Sequence, residues 1–287
     1  MGLIVATGLA IVAGLILVTG LVLSFSMTRR YGLIEVHGPA EVGLSFEPVT
    51  FEAADGLQLQ GWWIPAPGSD RAVVIMHGHG GSMDWDVHRA PALHAAGLNV
   101  LLFDFRAHGR SQGRTITFGY LERWDVVGAV RFLQSRGIRR IGLLGFSFGG
   151  IAAVLAAPLC PDIAAVVSDG GPARIKTALA EWGVERGISR RVSAPLAWLT
   201  VATTSLRLRA NLFRYEPVRW VGRIAPRPIL FIHGELDQYL PDFDDLVAAA
   251  GPTAEVWRVP NAGHTKVSEV LHDEYPRRVI AFFERHL

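Results

Sequence analysis

The chain of 287 residues holds a single cysteine, Cys160. An internal disulfide and any metal site built from several cysteines are thereby excluded, and the usage fits a reducing compartment without requiring one. Charge is scarce: 19% of residues are Asp, Glu, Lys or Arg, and the net charge is +2. That balance excludes a chain-wide electrostatic footprint for nucleic acid. Only Lys176 and Lys266 are lysines among the 28 basic residues, a bias with no functional reading. There is no Walker A string and no G-x-G-x-x-G after a strand-like run, so nucleotide cofactors are not indicated. Internal repeats and low-complexity tracts are missing too. What is abundant is apolar: half of the residues are hydrophobic. Such a composition excludes a disordered chain and a disulfide-stapled miniprotein. A mean hydropathy of +0.28 is high for a soluble protein and asks for a membrane segment.

The N-terminus supplies one. From Gly2 to Thr28 no side chain is charged. About 20 apolar residues span the hydrocarbon core of a bilayer, so residues 1–28 are read as a transmembrane anchor. Arg29-Arg30 follows at once. Basic residues stay on the cytoplasmic side, which places the N-terminus outside and the body in the cytoplasm; an extracytoplasmic body is the alternative. A secretory signal peptide is the rival reading. It is opposed by the lack of a basic leading region and by the length of the run. Gly2, Ala6, Ala10 and Gly14 form a small-residue stripe able to pack another helix, a spacing that chance also produces.

Residues 29–48 read as a connector and 49–287 as the main domain. Phe46 to Ala53 and Leu57 to Ile64 flank Asp55-Gly56, a hairpin signal. Beyond it, short apolar runs alternate with helix-like stretches. Strands are expected at 72–76, 100–103, 141–144, 163–167, 229–232 and 256–259, and helices at 85–96, 121–135, 151–157 and 276–286. The pattern predicts an α/β fold: a mostly parallel central sheet with helices on both faces and an antiparallel edge. The interval 172–227 breaks the alternation. It carries eleven Arg or Lys against three Glu, so the rest of the chain is net acidic. Ser193 to Leu206 is uncharged, contains Leu196, Trp198, Leu199, Val201 and Leu206, and is too short to cross a bilayer. A helical cap insertion is expected here, lying on the main domain. Its basic, aromatic character also suits contact with an anionic leaflet.

Gly145-Phe146-Ser147-Phe148-Gly149 sits where a strand turns into a helix. This is the context of a nucleophile elbow: a strained turn presents the serine hydroxyl at the sheet edge, and the backbone N–H groups that follow can hold an oxyanion. A serine hydroxyl needs a base, and the base needs an orienting acid. The strand ending at Ile232 runs into His233-Gly234-Glu235-Leu236-Asp237, and the last strand into Pro260-Asn261-Ala262-Gly263-His264. The catalytic residues are therefore read as Ser147, Asp237 and His264, with Glu235, Asp242 and Asp169 as rival acids. His77-Gly78-His79-Gly80-Gly81 is read as an oxyanion loop. The donors are expected to be the backbone N–H groups of His79 and Phe148, with His77 bracing the loop. The His77/His79 pair lacks further ligands at metal spacing, so no metal and no cofactor is assigned. Asp104 to Ser111 reads as a polar turn bonded to its neighbours, Trp62 and Trp63 as packing residues, and Cys160 as a buried or half-buried thiol.

With these motifs in place the chain resembles the α/β-hydrolases over residues 45–287. It is most similar to the branch holding monoacylglycerol lipases, serine aminopeptidase-like proteins and membrane-anchored hydrolases. The resemblance rests on HGHGG at 77–81, DFRAHGRS at 104–111, GFSFGG at 145–150, HGELD at 233–237 and NAGH at 261–264. It implies Ser147 as nucleophile, Asp237 as acid, His264 as base, and a cap inserted before the strand that carries Asp237. A residue as large as His79 departs from the small one usual inside the HG-x-G loop and is expected to narrow the pocket. The expected function is a membrane-anchored serine hydrolase acting on acyl esters or thioesters derived from lipids. An aminopeptidase using the same triad is the first alternative, opposed by the shortage of carboxylates in the cap. A non-catalytic binding protein on the same fold is the second. No nucleic-acid partner is expected, and the sequence carries no signal of oligomeric state.

Overall fold

The computed structural model describes residues 2–32 and 37–287, with side chains from residue 5 onward. The middle of the expected connector, residues 33–36, lies outside them. The uncharged N-terminal run is one helix, α1 (Gly2–Thr28). Of this, Val5–Thr28 is long and apolar enough to cross a membrane. The small residues Gly8 and Gly14 have no neighbour within reach of a Cβ, whereas Gly20, outside the stripe noted in the sequence, lies against Leu199 and Thr203.

The body begins with β1 (Glu47–Glu52), β2 (Gln58–Ile64) and β3 (Arg71–Met76). Then come α2 (Ala90–Ala95), β4 (Asn99–Phe103), α3 (Glu122–Ser135), β5 (Arg140–Phe146), α4 (Phe148–Ala156) and β6 (Ile163–Asp169). Two helices, α5 (Ile175–Glu185) and α6 (Arg190–Arg207), fill the interval where a cap is expected. The chain closes with β7 (Ile229–Gly234), α7 (Phe243–Ala250), β8 (Ala254–Val259), α8 (Val267–Val270) and α9 (Glu274–His286).

Among the described residues the eight strands form one sheet in the order β1-β2-β4-β3-β5-β6-β7-β8. The β1–β2 and β2–β4 pairs are antiparallel and every other pair is parallel. This is the arrangement the resemblance implies. The pattern of burial explains the apolar runs. Val74 and Leu143 point into the core shared with α3, α4 and α7, while Val73, Ile75 and Leu144 point into the core shared with α2 and α9. A strand covered on both faces has no polar side, hence its unbroken hydrophobicity. At the edge, β1 buries Val49 and Phe51 and turns Thr50 and Glu52 to water. The strand order reverses between β4-β3 and β5, and in open α/β sheets ligands bind outside the strand ends at such a switch point.

The hairpin is tied to the body by Arg106. Its guanidinium bonds Asp125 on α3 at 2.8 and 2.6 Å and Asp55 in the hairpin turn at 2.9 and 2.8 Å. Both Arg106 and Asp125 are buried. Removing one partner leaves an uncompensated buried charge, which typically costs about 3–5 kcal/mol. Arg106→Met is therefore expected to lower unfolding free energy by about that amount, measured by chemical denaturation in detergent; a change below about 1 kcal/mol would remove the network from this role.

Candidate active site

Ser147 links the end of β5 to the start of α4 with φ 50° and ψ −109°. A non-glycine residue held there carries strain on the order of 1–3 kcal/mol. The surroundings hold it: its N–H donates to the Asp169 carbonyl at 2.8 Å, and its own carbonyl accepts from Gly150 and Ile151. The turn closes so tightly that a Cβ on Gly145 would lie 2.4 Å from the Gly149 carbonyl, and one on Gly149 2.2 Å from the Met76 carbonyl. The flanking glycines of the motif are thus required by close approach.

His264 and Asp237 lie on the loops after β8 and β7. Those loops are joined by backbone bonds from Glu235 to Val259 and from Leu236 to Ala262, both 2.9 Å. The join brings the three sequence-derived residues together. His264 Nε2 lies 2.8 Å from Ser147 Oγ, and His264 Nδ1 2.6 Å from Asp237 Oδ2. With an N–H on Nδ1 donating to the carboxylate, Nε2 is left to accept the serine proton. The second Asp237 oxygen accepts from the Tyr239 N–H at 2.9 Å, and its side chain is fully buried, whereas the His264 ring is 25% exposed. A carboxylate so placed fixes the orientation of the imidazole.

The rival acids are placed elsewhere. Glu235 is exposed. Asp242 takes an ion pair from Arg174 at 2.9 Å. Asp169 is buried and accepts the Tyr275 hydroxyl at 2.8 Å. Burial pushes its carboxyl up to about 6.

The HGHGG loop rests on a layer of imidazoles. His77 donates from Nδ1 to the Gly78 carbonyl at 2.8 Å and accepts at Nε2 from the Phe105 N–H at 3.1 Å. His108 donates to the Arg106 carbonyl at 2.9 Å and accepts from the Gly80 N–H at 3.2 Å. Each ring joins the loop to the 104–111 turn, and both nitrogens of each are used. Asp104 takes the N–H groups of Met83 and Arg110, both at 2.8 Å. His79 turns its ring toward α1, donating from Nε2 to the Met27 carbonyl at 3.1 Å, and stacks on Phe118 at 6.0 Å.

Ser147, His264, His79 and Phe148 all border one cavity of about 320 Å³. Its other walls are mainly apolar: Phe118 and Ile151, then Ile175, Leu179 and Trp182 from α5, and Met27 from α1. Sequence reasoning missed three features of this site. Tyr239 sets its ring 4.7 Å from that of His264 and its hydroxyl on Glu185 of α5. An Asp86–Arg89 ion pair at 3.1 Å borders the cavity. Met27 arrives from a helix 120 positions away in the chain from Ser147, on the order of half its length, so only tertiary structure brings it in.

Comparison with known proteins came to one family. The Alpha/beta hydrolase family matches residues 73–282. The uncharacterized protein YfhR of Escherichia coli O157:H7 is 26% identical over 259 residues, which cover 86% of this chain and 83% of that protein. An uncharacterized protein of Mycobacterium tuberculosis is 32% identical over 223 residues, covering 75% of this chain and 71% of its own. Among solved structures, the Pyrococcus furiosus esterase Pf2001 superposes with a TM-score of 0.75 at 25% identity, over 91% of this chain and 98% of that one.

The imidazole layer gives the fold a pH dependence. Burial lowers the pKa of His77, His79 and His108, the last to about 2. In the unfolded chain these rings take protons as pH falls through about 6.5, while the folded chain keeps them neutral. Stability is therefore complete above about 6.5 and is lost as pH falls below it, by up to about 1.4 kcal/mol per pH unit per ring. Thermal unfolding is expected at a lower temperature at pH 5.5 than at pH 7.5, with a shallower pH slope in His108→Gln. Equal slopes in the two proteins would contradict the assignment.

Proposed function

The chain belongs to the Alpha/beta hydrolase family, and we propose that it is a membrane-anchored serine hydrolase cleaving lipid-derived acyl esters or thioesters. The observation that carries this reading is the unbroken hydrogen-bond chain Ser147–His264–Asp237, at 2.8 and 2.6 Å, on the wall of an apolar cavity. In this reading Ser147 Oγ attacks the acyl carbonyl while His264 Nε2 takes its proton, and Asp237 stabilises the imidazolium that results. The N–H groups of His79 and Phe148 hold the oxyanion, each such donor contributing roughly 3 kcal/mol to the transition state. His264 returns the proton to the leaving alcohol or thiol, then deprotonates a water that frees the acid. No cofactor or metal enters this scheme. The esterase Pf2001, similar in fold over nearly its whole length, supports ester chemistry. The carboxylate on the cavity wall, Asp86, is already paired with Arg89, which weighs against an aminopeptidase that would need it for an α-amino group.

Residues 1–28 serve as the anchor in this reading and 172–227 as a cap over the site. The outward faces of Val5, Leu9, Val12 and Ile16 support a lipid environment for α1. The docking of its C-terminal part on α6 favours a retained anchor over a cleaved signal. Arg29 and Arg30, at its end, favour a cytoplasmic body. On the cap, Val192, Trp198 and Leu206 are exposed beside Arg190, Arg191 and Arg207, a surface suited to an anionic leaflet.

Full-length protein is expected to hydrolyse p-nitrophenyl acyl esters, with Ser147→Ala abolishing turnover and Asp237→Asn lowering kcat by about 10⁴-fold. Wild-type kcat in Ser147→Ala would overturn the reading. Turnover of aminoacyl arylamides alone would favour the peptidase.

A further inference from the structure

Helix α1 divides into two parts. From Val5 to Thr19 every residue faces outward. Residues 2–19 cover about 27 Å at 1.5 Å per residue, close to the roughly 30 Å of a hydrocarbon core. From Gly20 onward the helix is built into the catalytic domain. At Gly20 a Cβ would lie 2.6 Å from Thr203 Cγ2 and 2.8 Å from Leu199 Cγ, so only bare backbone fits against α6. Thr203 Oγ1 donates to the Gly20 carbonyl at 2.8 Å, and the buried hydroxyls of Ser24 and Thr204 meet at 2.8 Å. The Arg207 guanidinium lies over the Phe25 ring and bonds the Thr28 hydroxyl.

The last turn reaches the site itself. A helix cannot satisfy its final carbonyls from within. Here the body supplies the donors: Ile116 N–H to the Thr28 carbonyl at 2.8 Å and His79 Nε2–H to the Met27 carbonyl at 3.1 Å. Immediately after, Arg30 donates to the carbonyls of Ser111, Gly109 and Gly113 at 2.6, 2.7 and 2.9 Å. The Tyr31 N–H bonds the Ala107 carbonyl at 2.9 Å. The start of the expected connector is therefore fastened to the loops that carry the site. Met27 borders the cavity together with Ser147 and His264.

We propose that α1 is a working part of the catalytic centre. Its last turn, through Met27, forms a wall of the acyl-binding cavity and, by accepting the His79 imidazole, sets the position of the oxyanion loop. This rests on the serine-hydrolase reading above. His79 is then a positioning residue: its ring is held by the membrane helix while its backbone N–H serves the reaction. Displacing a helix that spans the bilayer displaces the loop, since ring and amide belong to one residue. A shift on the order of 1 Å in a catalytic donor can lower a rate by about 10²-fold. Side-chain volume at position 27 limits the acyl group that the cavity accepts.

The test uses full-length protein in nanodiscs. Rates on p-nitrophenyl esters of increasing chain length are normalised to Ser147 sites titrated with a fluorophosphonate. His79→Phe keeps an aromatic ring and loses the donor; kcat is expected to fall by about tenfold or more with little change in KM. His79→Gln, whose amide can reach the same carbonyl, is expected to recover most of that loss. Gly20→Leu, which touches no cavity residue, should reproduce the kcat defect by undocking α1. Met27→Trp should move the preference toward shorter chains. Leu9→Ala, on the outward face, should leave both kcat and chain preference unchanged. Wild-type kcat in His79→Phe, or no recovery in His79→Gln, overturns the bracing. An unchanged chain-length profile in Met27→Trp overturns the wall. If Gly20→Leu fails to fold, the His79 and Met27 variants decide by themselves. Absence of labelling in the wild type would be a different result, overturning the serine-hydrolase reading on which the proposal stands.

Discussion

The 2.8 Å separation of Ser147 Oγ and His264 Nε2 is the contact on which the remainder of the site depends. It cannot be local, since 117 positions separate the two residues. It exists because β5 and β8 run parallel within one sheet and end at the same edge. Parallel pairing from β3 through β8 places successive strand ends side by side, so that residues from distant segments meet without a long loop. The strained turn at Ser147 lifts its hydroxyl toward that meeting point. The paired loops after β7 and β8 then carry Asp237 and His264 as a unit.

Beneath this edge lies a second level of organisation that the chemistry does not touch. His77, His108 and Asp104 connect the HGHGG loop and the segment after it to the 104–111 turn. Arg106 in that same turn continues the connection to α3 and to the β1–β2 hairpin. Polar networks of this kind fix a unique arrangement when every member is satisfied. The site thus stands on a scaffold of neutral rings and one buried guanidinium. The segment carrying α5 is fastened on the other side through Tyr239 with Glu185 and Arg174 with Asp242.

Much of this is legible in the sequence because it is written in continuous runs. Val100 to Phe103 is apolar throughout, as a strand covered on both faces must be. Ser147 and Asp237 each follow such a run and His264 follows the edge strand β8, so their positions at one edge follow from strand polarity. Other features were hidden for identifiable reasons. The expected helix over 85–96 is divided into a 3-10 turn, Met83–Arg89, and α2. Asp84 and Asp86 are drawn inward there by Arg110 and Arg89, and Pro91 stands in the first turn of α2, where its missing N–H costs nothing. Helix α4 begins at Phe148, ahead of the expected Ile151, because the glycines that follow Ser147 do not read as helix formers. Helix α7 escaped notice: eight residues, with Asp244 and Asp245 in its first turn, look like an extension of the preceding loop. His79 is legible as a member of the HGHGG loop, and it borders the cavity. Its bond to Met27, however, depends on where α1 docks, and no spacing rule reports that.

The most direct test of the account is to treat the full-length protein with a fluorophosphonate and locate the adduct by peptide mass mapping. A single phosphonyl group on the peptide containing Ser147, absent from His264→Ala, is the predicted result. An adduct on another serine, or labelling of Ser147 that proceeds equally without the imidazole, would contradict it.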